Sequence, residues 1–305
     1  MPAFGLGTWK SPADEVRQAV KTALELGYCH VDAAWIYQNE QAVGEGISAA
    51  IGSGAIARES LFVTSKLWNT FHRPQDVETG CRETLSALGL DYLDLYLMHW
   101  PVAFKPQASQ HKNPEDFYSL DELPLSQTFE AMLKLREKGL AKSIGVSNFT
   151  PSKLQRIITE TGVVPSVNQV ELHPYNPQNE LLAYCQAQGI RLTAYSPLGS
   201  GDRPDSMKQK DEPPLLDNET VNAIAQTENL SAAQLLIAWA IDRGTVVIPK
   251  STHASRLAEN LAAATHTLSA EARAALDAID IQYRYVSPSM WFFPGITYQG
   301  DSFWC

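Results

Sequence analysis

The sequence predicts an α/β protein, a (β/α)8 barrel of the TIM type, as a single domain over residues 1–305 with long loops at the C-terminal face of the strands and a C-terminal tail. Three observations carry that prediction. Strand-like and helical runs alternate along the whole chain, and eight of the runs are strand-like. Several of these are apolar without interruption, as expected of parallel strands covered on both faces. A closed ring satisfies eight such strands, and barrels of roughly 250 residues are the usual exception to smaller domain sizes.

Taken in order, Ala3 to Thr8 reads as the first strand. The first helix has Ser11 as N-cap and Pro12 at its first position, Val16, Ala19, Val20, Ala23 and Leu24 on one face, and Gly27 as its stop. The second strand closes on Asp32. A helix from Glu40 to Ile51, a strand at Leu61 to Ser65, a helix from Pro74 to Leu88 and a strand at Tyr92 to Met98 continue the alternation. Helix Ser126 to Lys138 leads to strand Ser143 to Val146. Thr150 and Pro151 cap the next helix, before strand Ser166 to Val170. Helix Glu180 to Gln188, strand Arg191 to Tyr195, two helical stretches between Asp217 and Asp242 and strand Val246 to Ile248 complete the set. The loops Pro101 to Pro124 and Gly199 to Leu216 follow strand carboxyl ends, where barrel enzymes build their sites. A doubly wound dinucleotide fold competes, but no G-x-G-x-x-G occurs; Gly5, Gly7 and Gly44, Gly46 give only G-x-G fragments.

Composition narrows the function. Hydrophobic residues make up 44% and charged residues 19%, which is globular and ample for a core. The formal charge of −10 argues against nucleic acid or an anionic membrane as the main partner, so any anion site must be a local cluster. Cys29, Cys81, Cys185 and Cys305 are scattered with no C-x-x-C, which suggests neither a metal site nor a disulfide scaffold. The N-terminus lacks a basic region followed by an apolar run and the apolar stretch Ala232 to Ile241 is too short to span a bilayer, so a soluble cytoplasmic protein is expected; a monomer is expected as well.

Three successive strand-like runs end on, or lead straight into, titratable residues: Asp32 with Tyr37 just beyond, then Lys66, then His99. In a barrel these meet at one mouth. The set suits proton donation to a carbonyl oxygen, with Tyr37 as acid, Lys66 lowering its pKa, Asp32 placing Lys66 and His99 orienting the carbonyl. Singly, each has an ordinary structural use: a loop cap, a packed phenol, a core histidine. Lys250, Ser251, Thr252 and Arg256 surround a helix start, which is either an anion site or a solvated cap. Ser147, Asn148 and Gln169 suit a carboxamide, and Tyr195 can stack on a flat ring, unless these polar strand ends simply meet water.

These residues sit in the motifs D-A-A-x-x-Y, T-S-K-L-W, L-M-H-W-P, G-V-S-N-F, N-Q-V-E-L-H-P, Y-S-P-L and I-P-K-S, and through them nearly the whole chain closely resembles the aldo-keto reductases. The resemblance implies a catalytic tetrad of Asp32, Tyr37, Lys66 and His99, with NADPH as reductant and a small carbonyl compound as substrate. It implies that Ser147, Asn148 and Gln169 hold the nicotinamide carboxamide, that Tyr195 stacks on the ring, and that Ser196, Leu198 and Ser200 lie along the pyrophosphate under the 199–216 loop. Lys250, Ser251, Thr252 and Arg256 would take the 2′-phosphate, and Glu259 and Asn260 the adenosine end; Thr8 and Trp9 complete the cofactor set. Trp9, Trp68, Trp100 and Trp291 would wall the substrate pocket. Members of the family carry a hairpin over the barrel floor, whereas here Met1 and Pro2 begin almost inside the first strand, so either the start is truncated or the floor is covered differently. Two other readings use the same residues: a cofactor-binding regulatory subunit, and a lyase forming a Schiff base through Lys66 or Lys250.

Overall fold

The computed structural model describes residues 1–108, 111–293 and 303–304. Cys305 and most of the tail beyond Phe293 lie outside these. Eight parallel strands follow one another around a ring: β1 (Leu6–Gly7), β2 (His30–Asp32), β3 (Phe62–Leu67), β4 (Leu93–Met98), β5 (Ala141–Ser147), β6 (Val167–Glu171), β7 (Arg191–Tyr195) and β8 (Val246–Val247). The ring closes where Phe4 bridges Val247, with Gly5 N–H on Val247 O and Val247 N–H on Ala3 O, each at 2.9 Å. The regular part of β1 is therefore shorter than the Ala3 to Thr8 run, although its hydrogen bonding reaches back to Ala3.

The helices form the outer layer: α1 (Ala13–Leu26), α2 (Glu40–Gly52), α3 (Val77–Leu88), α4 (Leu125–Glu137), α5 (Pro151–Thr161), α6 (Asn179–Gln188), α7 (Glu219–Thr227), α8 (Ala232–Asp242), α9 (Ala254–Ala263) and α10 (Ala270–Asp277). β4 shows why its sequence is apolar at every position but Asp94, which pairs with Arg58 and Lys142. Leu95 and Leu97 join Val167 in a cluster of their own, while Tyr96 and Met98 belong to the main core that includes residues of the helices. Alternate residues thus serve two separate interiors.

Helix starts depart from the sequence reading. Ser11 is not the N-cap of α1; Pro12 takes that position at φ −57°, ψ 152°, and Ala13 is the first helical residue. Proline lacks an N–H and its extended ψ holds it outside the helix, where its carbonyl accepts the first bond, from Val16 N–H at 2.8 Å. α3 likewise starts at Val77 rather than Pro74, because Arg73 and Asp76 close a turn ahead of it. Thr150 does cap α5, accepting Lys153 N–H, and Gly27 ends α1 in the left-handed region at φ 107°. Ala232 to Ile241 is the buried α8, and among the described residues no helix is long and apolar enough to cross a membrane. Cys29, Cys81 and Cys185 are free.

The Gly44 and Gly46 fragment lies on α2 and serves packing. A Cβ on Gly44 would sit 2.3 Å from Leu88 O, and one on Gly46 2.6 Å from Arg17 O, so these glycines let α2 approach its neighbours α3 and α1. In an exposed helix Gly→Ala stabilises by about 1 kcal/mol. At position 44 the sign should reverse: Gly44→Ala is expected to lower the unfolding free energy by about 1–3 kcal/mol, as overpacking does, measured by urea denaturation.

Candidate active site

Parallel strands ending on one rim place their last residues around a common mouth. Asp32, Lys66 and His99 come from β2, β3 and the residue after β4, and Tyr37 from a short turn, Trp35–Tyr37, that follows β2. Lys66 is 1% exposed. Its Nζ donates to Asp32 Oδ1 at 2.5 Å, to Ala33 O at 2.9 Å and to Tyr37 Oη at 3.4 Å. All three ammonium protons are thereby placed. Asp32 is held on its other side by Gln169 Nε2, 2.7 Å from Oδ2, and its backbone carbonyl accepts from Thr8 Oγ1 at 2.8 Å. The Tyr37 and His99 rings meet edge to face at 5.9 Å.

Burial dominates the electrostatics, and one expectation is corrected by it. Burial pushes the Tyr37 phenol up, and the opposing pull of the Lys66 ammonium does not bring it below its ordinary value. Lys66 shows the reverse balance: burial lowers its pKa, but Asp32 and Tyr37 more than compensate and hold it charged. Burial, with Lys66 adding to it, drives the His99 imidazole well below the usual histidine range, so it stays neutral. Its Nδ1 is buried without a partner, as are both ring nitrogens of His72 and both amide atoms of Asn69.

A cavity of about 990 Å³ opens from this cluster across the mouth. Asp32, Tyr37 and His99 line it, with Lys66 behind them. So do Thr8, Trp9, Ser147, Asn148, Gln169, Tyr195, Ser196, Leu198 and Ser200. Lys250, Ser251, Thr252, Arg256, Glu259 and Asn260 line its far end, at the start of α9. Every site residue named from the sequence is thus on or directly behind one surface. Asn148, Ser196 and Ser200 have φ of 65°, 48° and 48°, in the left-handed region, which Asn enters readily and Ser at a cost. Asn148 is tied on both sides of its amide, donating to His99 O at 3.0 Å and accepting from Tyr195 Oη at 2.8 Å. The third wall is aromatic. Trp291 contacts Trp68 at 6.0 Å, Trp100 at 5.6 Å and Phe104 at 5.2 Å, edge to face, and Trp9 lies 6.4 Å from Tyr37.

Other residues of the site go beyond those named one by one from the sequence. Asp202, in the 199–216 loop, pairs with both Lys10 and Lys250 and so joins that loop to the residues after β1 and β8. Val286, Ser287 and Pro288 also line the cavity. The long loop after β4 contains a small antiparallel pair, Ala103–Phe104 with Phe117–Tyr118, which brings Phe104 to Trp291.

Residues 2–281 match the sequence profile described as the Aldo/keto reductase family. The chain belongs to the aldo/keto reductase family. An aldo/keto reductase of Synechocystis sp. is 47% identical over 304 residues, covering 100% of this chain and 93% of that protein. Aldo-keto reductase family 1 member A1 of Rattus norvegicus is 46% identical over 290 residues, 94% of this chain and 89% of its own. Among solved structures, a Bombyx mori aldo-keto reductase in complex with NADP superposes with a TM-score of 0.83 at 39% identity, covering 95% and 93% of the two chains. The aldose reductase of Schistosoma japonicum gives 0.86 at 38% identity, covering 95% and 92%. This aldo/keto reductase therefore keeps the (β/α)8 barrel of its relatives over nearly its full length.

The buried histidines set an acid limit on stability. Burial lowers His30 to about 4 and His72 to about 3, against 6.5 unperturbed. Unfolding lets them take up protons below pH 6.5, so stability is full above that value and is lost as pH falls toward 4, at most about 1.4 kcal/mol per pH unit for each group. Urea denaturation between pH 7 and 4 should show this fall, with a shallower slope in His72→Leu.

Proposed function

We propose that this aldo/keto reductase is an NADPH-dependent reductase of aldehydes, small, aromatic or sugar-derived, and of some ketones. The observation that carries the reading is the Lys66 ammonium bonded at once to Asp32 and Tyr37 on the floor of the cavity, beside a neutral His99.

A carbonyl oxygen placed between Tyr37 and His99 has two polar groups to meet. The Tyr37 hydroxyl donates the proton, and the adjacent ammonium stabilises the phenolate left behind; this is where Lys66 acts, since in the resting state burial keeps the phenol protonated. Asp32 and Gln169 hold the ammonium so that no reorganisation is needed as charge develops. NADPH, when bound, supplies the hydride. The donor set fits that cofactor: two cations, Lys250 and Arg256, with Ser251 and Thr252, stand at a helix start for a phosphate, and carboxamide-pairing amides stand near Tyr37. The Bombyx mori relative in complex with NADP supports the same assignment. A regulatory reading leaves the four converging polar groups without a use. A Schiff-base lyase needs a neutral lysine, but Lys66 is held charged and Lys250 is paired with Asp202.

The test is the loss of NADPH absorbance with a panel of aldehydes, sugars, uronates and ketones, using NADH as control. Turnover is expected to fall about 10²–10⁴-fold in Tyr37→Phe, the usual contribution of a positioned acid. NADPH binding without oxidation by any carbonyl would move the reading to the regulatory one. Lys66→Met should abolish reduction while cofactor binding persists. It should also lower the unfolding free energy by about 3–5 kcal/mol, because Asp32 loses its buried countercharge. Arg256→Ala should raise KM for NADPH about 10–100-fold, as expected when a charge-assisted bond is lost, with little change for NADH; equal effects on both would overturn the 2′-phosphate assignment.

A further inference from the structure

Glu171, the last residue of β6, is a fully buried carboxylate that proton donation does not use. Its Oε1 accepts Tyr285 N–H and its Oε2 accepts Val286 N–H, each at 2.7 Å, and His173 Nε2 lies 2.8 Å from Oε1. Burial alone would raise its pKa, but His173, Arg284 and the backbone donors override that and hold it below the ordinary value. A charged acceptor on two successive backbone N–H groups fixes both the position and the direction of the chain there.

The segment so fixed forms the substrate side of the cavity: Val286, Ser287, Pro288 and Met290 line it and lead to Trp291, which closes the aromatic wall against Trp68 and Trp100. Tyr285 also reaches the cofactor side. Its hydroxyl donates to Pro213 O at 2.5 Å in the 199–216 loop, and the Arg203 guanidinium of that loop lies 5.1 Å over its ring. Arg203 in turn pairs with Glu212 at 2.6 Å, and Tyr283 Oη meets Glu212 at 3.3 Å. Glu171 is two residues from Gln169 on the same strand, so one rigid element carries both the support of Asp32 and the support of the opposite wall.

We propose that Glu171 is a positioning residue for substrate choice: through the backbone of Tyr285 and Val286 it sets the place of the 286–291 segment, and with it how large a carbonyl compound the cavity grips. The inference rests on the aldehyde-reductase reading for the nature of the ligand. Its structural half, the anchoring of the segment, does not.

Two readouts separate those halves. In Glu171→Gln the amide can present only one acceptor oxygen to the two backbone donors. Hydrogen exchange at the amides of Tyr285 and Val286 is expected to quicken at least about tenfold, while amides of β3 keep their protection. Unchanged exchange at the two amides would overturn the anchoring whether or not the protein reduces aldehydes. In kinetics, KM for an aromatic aldehyde that fills the tryptophan wall should rise about tenfold, KM for a short aliphatic aldehyde should change less than about twofold, and the Kd for NADPH should rise by less than the aromatic KM. An equal rise for both aldehydes, or a parallel loss of NADPH affinity, would make Glu171 a general structural residue and refute the proposal. If Glu171→Gln does not fold, Val286→Pro removes one donor and leaves the carboxylate in place; the same split between aldehydes is expected, and its absence counts against the proposal.

Discussion

The buried pair of Lys66 and Asp32 is the interaction on which the site depends. Two charges withdrawn from water are costly unless every proton and lone pair is used. Here the ammonium has three acceptors, and the carboxylate has the ammonium on one oxygen and Gln169 on the other. The strands that supply these groups must therefore stand in fixed register. β2 pairs Asp32 with Thr64 of β3, and β3 pairs Lys66 with Leu97 of β4, so a slip of one residue would strand a charge inside the barrel. Chemistry and fold specificity rest on the same atoms.

Around that pair, neutrality is enforced by burial. His99 cannot charge beside Lys66, and Tyr37 stays protonated, so the resting site has a single net donor system aimed at the cavity. The two ends of the cavity differ in kind. One is lined by cations at a helix start, the other by tryptophans, which on the proposed reading separates the place of an anionic cofactor from that of the carbonyl compound. Asp202, bonded to Lys10 and Lys250, and Tyr285, bonded to the same 199–216 loop, connect the two ends.

Much of this was legible in the sequence, for a physical reason. Parallel strands buried on both faces are mostly apolar, so Asp32, Lys66 and His99 stand out where the runs of β2 to β4 reach the rim. Element boundaries were less legible: Ser11 and Pro74 look like helix starts, but proline geometry and the Arg73 to Asp76 turn move the first helical residue onward. Lys66 does pull the Tyr37 pKa down, as expected from charge, but burial is the larger effect and the net shift is upward. The pairs Lys10 with Asp202 and Glu171 with Tyr285 join positions 192 and 114 apart, and neither leaves a local pattern.

The closure of the barrel has a consequence for how the chain acquires its structure. Phe4 pairs with Val247, so the first strand waits for nearly the last before it has both neighbours. Until residue 247 is available, β1 and β7 each lack the partner that closes the ring. Contacts so distant along the chain slow folding, and an unpaired strand edge is the feature that aggregation uses, so closure of the ring also protects the edges.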